Sequence, residues 1–128
     1  MKKIKFIRII FIFGVLLSCS DNNDLTQEQE GQNLNQLFSE IENLATNENC
    51  DNSAEWTFTS YGNKACGGPV GFIAYSTNID TELFIEKIEE HRTAQSEFNE
   101  KWGIISDCSI PSQPSAVICE NGNPVLEY

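Results

Sequence analysis

Two apolar runs, Trp56-Thr57-Phe58-Thr59-Ser60-Tyr61 and Val70-Gly71-Phe72-Ile73-Ala74-Tyr75, decide how this chain folds. The first alternates and is rich in β-forming residues, which marks a strand with one buried face. The second is apolar on both faces, with Val70, Phe72 and Ala74 on one and Ile73 and Tyr75 on the other, so it reads as a central strand. Between them Gly62 to Pro69 supplies turn residues, including Cys66-Gly67-Gly68-Pro69. The pair therefore forms a β-hairpin.

Upstream, Leu34, Leu37, Phe38, Ile41, Leu44 and Ala45 recur at helical spacing, which predicts an amphipathic helix over 33–46. A polar loop, Asn47 to Ser53, holds Cys50. Downstream, Phe84, Ile88, His91, Gln95, Phe98 and Trp102 fall on one stripe of a helix over 80–102. Asp80 or Asn78 can cap it, and Gly103 ends it. Ile104-Ile105-Ser106 reads as a third strand. Pro111 and Pro114 then break the chain into a loop, and Ala116 to Cys119 is a fourth strand. Asn121-Gly122 is a hairpin signal, with Val125-Leu126 pairing back. The order is helix, hairpin, helix, hairpin. The expected fold class is α+β: an antiparallel sheet of about four strands with two helices packed on one face.

The N-terminus carries a different signal. Lys2, Lys3, Lys5 and Arg8 precede an apolar run, Ile9 to Leu17, which Ser18 and Cys19 close. A basic head, a short apolar segment and a small residue before the cut are the parts of a secretory leader. The run falls short of the roughly 20 apolar residues of a spanning helix. Leu16-Leu17-Ser18-Cys19 resembles the lipobox of bacterial lipoproteins, although Leu17 is bulkier than the commonest residue at its place. The resemblance implies that 1–18 is removed, that the Cys19 sulfur receives a diacylglycerol, and that its new amine is acylated. Several acyl chains anchor a protein stably where one does not. The acidic Ser20-Asp21-Asn22-Asn23-Asp24 that follows is similar to the export tag of Bacteroidetes surface lipoproteins, which implies display outward from the outer membrane. These resemblances cover the first 24 residues. The implied layout is a leader over 1–18, a lipidated Cys19 with an acidic tether over 19–32, and one domain over 33–128.

After removal of 1–18, four basic residues, Lys64, Lys87, Arg92 and Lys101, face nineteen acidic ones, a net charge of −15. That disfavours nucleic acid and direct docking on anionic lipid, and favours basic partners, cations or solubility. A core of about 95 residues gains from staples. Cys50, Cys66, Cys108 and Cys119 remain once Cys19 is assigned, and an even count in an exported chain reads as two disulfides. Three pairings are open. Cys50–Cys66 with Cys108–Cys119 is preferred because each closes a local loop, at roughly 3 kcal/mol apiece. A zinc site lacks any Cys-x-x-Cys pair, and no calcium loop has the required spacing, so no metal or cofactor is expected.

The chemistry is sparse. Nucleophilic catalysis needs a base within hydrogen-bond reach. The single histidine, His91, lies in line with large apolar neighbours and reads as a packing residue, paired with Gln95 one turn on. Glu89-Glu90 and Glu97 with Glu100 read as a solvated helix face. No catalytic residue is assigned, and the expectation is a non-enzyme. Two loops stand out as candidate binding elements. One is the glycine turn Gly67, Gly68 and Pro69, framed by Tyr61 and Tyr75. The other is the proline loop with Pro111, Gln113 and Pro114, constrained if Cys108 pairs with Cys119. The expected function is a surface-displayed, non-enzymatic binding or envelope-interaction module. The alternative is a lipid-anchored inhibitor of a secreted hydrolase, either a protease met by the proline loop or a basic lysozyme met by the acidic surface.

Overall fold

In the computed structural model, which describes residues 24–128, helix α1 spans Gln27–Ala45. It starts inside the stretch expected to be tether. Thr26 and Gln29 explain the early start. The Thr26 hydroxyl accepts the Gln29 N–H, and the Gln29 side chain accepts the Thr26 N–H, a reciprocal capping box. Residues 1–23, on which the expected leader and the expected lipidation of Cys19 fall, lie outside the described residues.

Strands β1 (Trp56–Tyr61) and β2 (Gly71–Ser76) pair antiparallel, with Phe58 opposite Ala74 and Tyr61 opposite Gly71. Helix α2 (Thr81–Trp102) begins at Asp80, whose carboxylate accepts the Leu83 N–H at 3.0 Å, and ends at Gly103 in the left-handed region. Strands β3 (Ala116–Glu120) and β4 (Asn123–Glu127) form a second hairpin. Its two-residue turn, Asn121-Gly122, has both φ angles positive, as the primed hairpin turns require.

The order helix, hairpin, helix, hairpin is the observed one, but the strands form two separate two-stranded sheets rather than a single sheet. Alternation along β1 and β2 is the reason. Tyr61, Ile73 and Tyr75 point to one side, where they join Ile41, Ala45, Phe84 and Ile88 beneath the helices. Trp56, Phe58 and Ala74 point to the other, where they meet Val117, Cys119 and Leu126 of the second hairpin. The first hairpin is thus the middle of three layers. The double-sided apolar strand is central between layers, not within one sheet. Ile41 and Phe84 are fully buried. Each such side chain stabilises by about 1.5–3 kcal/mol. The helices run antiparallel, with Lys87 bridging Glu40 and Glu90 near one end and Glu30 meeting Lys101 at the other.

The disulfides are Cys50–Cys119 and Cys66–Cys108, nested rather than local. This corrects the preferred pairs Cys50–Cys66 and Cys108–Cys119. Local loop closure counts only the unfolded chain, whereas the layers decide which sulfurs meet. Cys50 bonds by its N–H to Gly122 O at 2.9 Å, which sets it beside the second hairpin. Cys66, in the β1–β2 turn, meets the segment leaving α2. Ile104-Ile105-Ser106, expected as a strand, has no partner strand and belongs to an irregular connection, 103–115.

Unreduced peptide mapping should join Cys50 to Cys119 and Cys66 to Cys108, and linkage of Cys50 to Cys66 would contradict the layering. The bridges span 69 and 42 positions of sequence. Replacing Cys50 and Cys119 together by Ala should lower stability by about 4 kcal/mol in denaturant titration.

Candidate functional site

The end of the molecule where α1 starts and α2 finishes gathers most of the unusual chemistry. Polar side chains on the last turns of α2 hold the β1–β2 loop. Gln95 Oε1 accepts the Asn63 N–H at 2.7 Å, and Asn99 Nδ2 donates to Asn63 O at 2.8 Å. Gly62 makes this approach feasible. It has φ +74°, and a Cβ there would lie 2.7 Å from both Gln95 Oε1 and Val70 Cγ2.

The loop in turn holds the irregular connection. Lys64, its side chain 15% exposed, donates to Asp107 Oδ1 at 2.9 Å, Ser109 O at 2.7 Å and Ser109 Oγ at 3.1 Å. Ser109 Oγ donates to Asp107 Oδ2 at 2.8 Å. The Lys64 hydrogen bond, then that of Ser109, holds the Asp107 carboxyl below its usual range. Cys66–Cys108 locks the same two segments covalently. Farther on, Pro114 is buried and Ser115 N–H bonds to Glu127 O at 2.7 Å. Residues 109–113 are therefore pinned at both ends. Ile105 and Ile110, on either side of Cys108, are 93% and 86% exposed.

The structure thus unites the two loops singled out from sequence. The staple that joins them is Cys66–Cys108, so the proline loop is constrained, but not by the bridge expected. Gly67 and Gly68 are exposed, with φ +87° and +83°, in a turn closed by Gly67 N–H to Lys64 O. Pro69 and Pro111 are half-buried, and Gln113 is exposed. Tyr61 and Tyr75 do not frame the turn. Tyr61 stacks on Phe38 at 4.6 Å, and Tyr75 on Phe84 at 4.5 Å, both toward the helices. Sequence reading missed Lys64, Ile105 and Ile110. Lys64 carried a signal, being one of only four cations after residue 18 and two residues from a cysteine. Ile105 was hidden by its resemblance to strand residues.

His91 is 6% exposed, with its ring 5.4 Å from that of Phe38. Its Nδ1 has no hydrogen-bond partner among the described residues, and Gln95, the partner expected for it, accepts from Asn63 N–H. Burial pushes its pKa below the ordinary value. Glu89 pairs with Arg92, and Glu90 with Lys87. Among the described residues no group of three or more His, Cys, Asp or Glu side chains is placed to hold a metal. Between the helices an open cavity of about 370 Å³ is lined by Leu25, Leu34, Leu37 and Phe98, among others.

The histidine sets a pH dependence. Unfolded, His91 binds a proton near its ordinary pKa of 6.5; folded, it does so only at lower pH. Its contribution to stability is complete above that value and lost as pH falls toward the folded pKa. Thermal melts should show a fall in stability, flattened by His91→Leu, as pH drops through about 6.5 and below. A slope unchanged by the substitution would contradict the burial argument. Comparison with protein-family models, curated proteins and solved structures finds no match to this chain.

Proposed function

We propose that this chain is a lipid-anchored envelope protein, displayed on the outer membrane, that works as a non-enzymatic interaction module through its stapled end. Support for the anchor comes from the leader and the Leu16-Leu17-Ser18-Cys19 pattern. The two disulfides suit an oxidising compartment outside the cytoplasm. No helix among the described residues is long and apolar enough to cross a membrane.

One observation carries the interaction reading. Two loops from distant parts of the chain are joined by Cys66–Cys108 and Lys64, and they hold Ile105 and Ile110 out in solvent. Exposed apolar patches, as distinct from single side chains, mark interaction sites, and Ile105 and Ile110 flank one half of the same disulfide. A surface already fixed loses little entropy on contact. Long irregular connections are also a common place for function. A second reading, the hydrolase inhibitor, draws on the same connection, since 109–113 is pinned by Cys108 and Pro114 in the manner of a presented binding segment.

Cys19→Ser should abolish acyl labelling and shift the protein out of the membrane fraction; membrane partition without any acyl label on the wild type would contradict the anchor. The inhibitor reading is separable by salt. The Debye length shortens from about 10 Å at 0.1 M to about 3 Å at 1 M, which erases generic attraction of a basic protein to this acidic domain. A true inhibitor complex with a lysozyme or serine protease should survive 0.5 M salt and block activity. Loss of all binding and inhibition at that salt would discard the inhibitor reading for the enzymes tried.

A further inference from the structure

We infer that the stapled end seats on the bilayer that anchors the chain, with Ile105 and Ile110 entering its headgroup–acyl boundary. This rests on the reading of Cys19 as the lipidated residue. Glu30, near the start of α1, accepts hydrogen bonds from Lys101 and Trp102 at the end of α2. The point where the chain departs toward Cys19 is thus at the same end as Gly103 and the stapled loops. The capping box fixes α1 up to Gln27, so the exit point is rigid.

Only six residues lie between Cys19 and Thr26, a span of seven peptide steps. Fully extended they reach about 25 Å. A folded partner of ordinary size, some 30 Å across, does not fit between this end and the membrane. The bilayer itself is the surface within reach, and tethering keeps its effective concentration high.

The end near Gly103 exposes apolar side chains and carries no free cation among the described residues. Of the seven large apolar residues exposed in the described chain, four are here: Leu25, Val70, Ile105 and Ile110. Ile105 and Ile110 are the most exposed of all. The cations at this end are neutralised, Lys64 by Asp107 and Lys101 by Glu30. Asp24, Glu28, Glu97 and Glu100 have no ion-pair partner among the described residues. The contact is therefore apolar rather than electrostatic, and the headgroups that fit are zwitterionic.

The test uses the full lipidated chain in phosphatidylcholine vesicles containing a phospholipid with a photoactivatable carbene precursor on its acyl chain. After illumination and reduction, label should appear in residues 103–113. In the Ile105→Ser/Ile110→Ser variant that label should fall by about tenfold, with both disulfides still intact by mass. An acylated chain that stays with the vesicles but takes no label in 103–113 would overturn the docking and leave the anchor standing. A chain without an acyl group that stays out of the vesicles would overturn both. Capture of a protein rather than lipid by photoreactive residues at 105 and 110 in native membranes would also overturn the docking, in favour of a protein contact.

Discussion

A hairpin buried on both faces is the constraint on which the rest of the structure depends. Odd-numbered Tyr61, Ile73 and Tyr75 are covered by the helices, and even-numbered Trp56, Phe58 and Ala74 by the second hairpin. The hairpin needs cover, since a two-stranded sheet alone in water is marginal. Each disulfide serves one end of this hairpin. Cys50–Cys119 fastens the outer layer near Trp56, and Cys66–Cys108 fastens the turn to the segment leaving α2. The nested pairing follows from the layers and needs no further cause.

Local chemistry was legible in the sequence wherever it was sufficient. Helix α2 lies where its apolar stripe, Asp80 and Gly103 put it. The Asn121-Gly122 turn forms as its residues require. Helix α1 begins earlier than its stripe, since its first turns are polar and the Thr26–Gln29 capping box starts them. Glu30 holds them through Lys101 and Trp102, partners over seventy positions away. Alternation in β1 and β2 announced two buried faces but could not say whether a strand or a layer would cover the second. Ile104-Ile105 imitates a strand in composition, yet lacks a partner.

The site was legible only in pieces. Gly67, Gly68 and Pro111 could be recognised as turn and loop residues, and the cysteines as staples. Their union depends on Cys66 meeting Cys108 and Lys64 meeting Asp107, both contacts of long sequence separation. His91 was legible as a packing residue, but its orphaned Nδ1 and the contact of Gln95 with Asn63 were not. Charge behaved similarly. The composition gives a strongly acidic domain, while the pairing of Lys64 and Lys101 at one end is a property of the fold alone.

The picture that results separates a stable centre from a stapled edge. The centre is the twice-covered hairpin. The edge is connection 103–115, which owes its order to Cys66–Cys108, Lys64 and a few hydrogen bonds rather than to burial. Native-state hydrogen exchange on the Cys66→Ala/Cys108→Ala variant tests this division most directly. The account predicts that amides of Thr57–Ser60 and Ile73–Tyr75 remain the slowest in the molecule while those of 104–110 exchange at rates close to an unfolded chain. Collapse of protection in the hairpin together with the connection, or protection of 104–110 unchanged without the bridge, would contradict it.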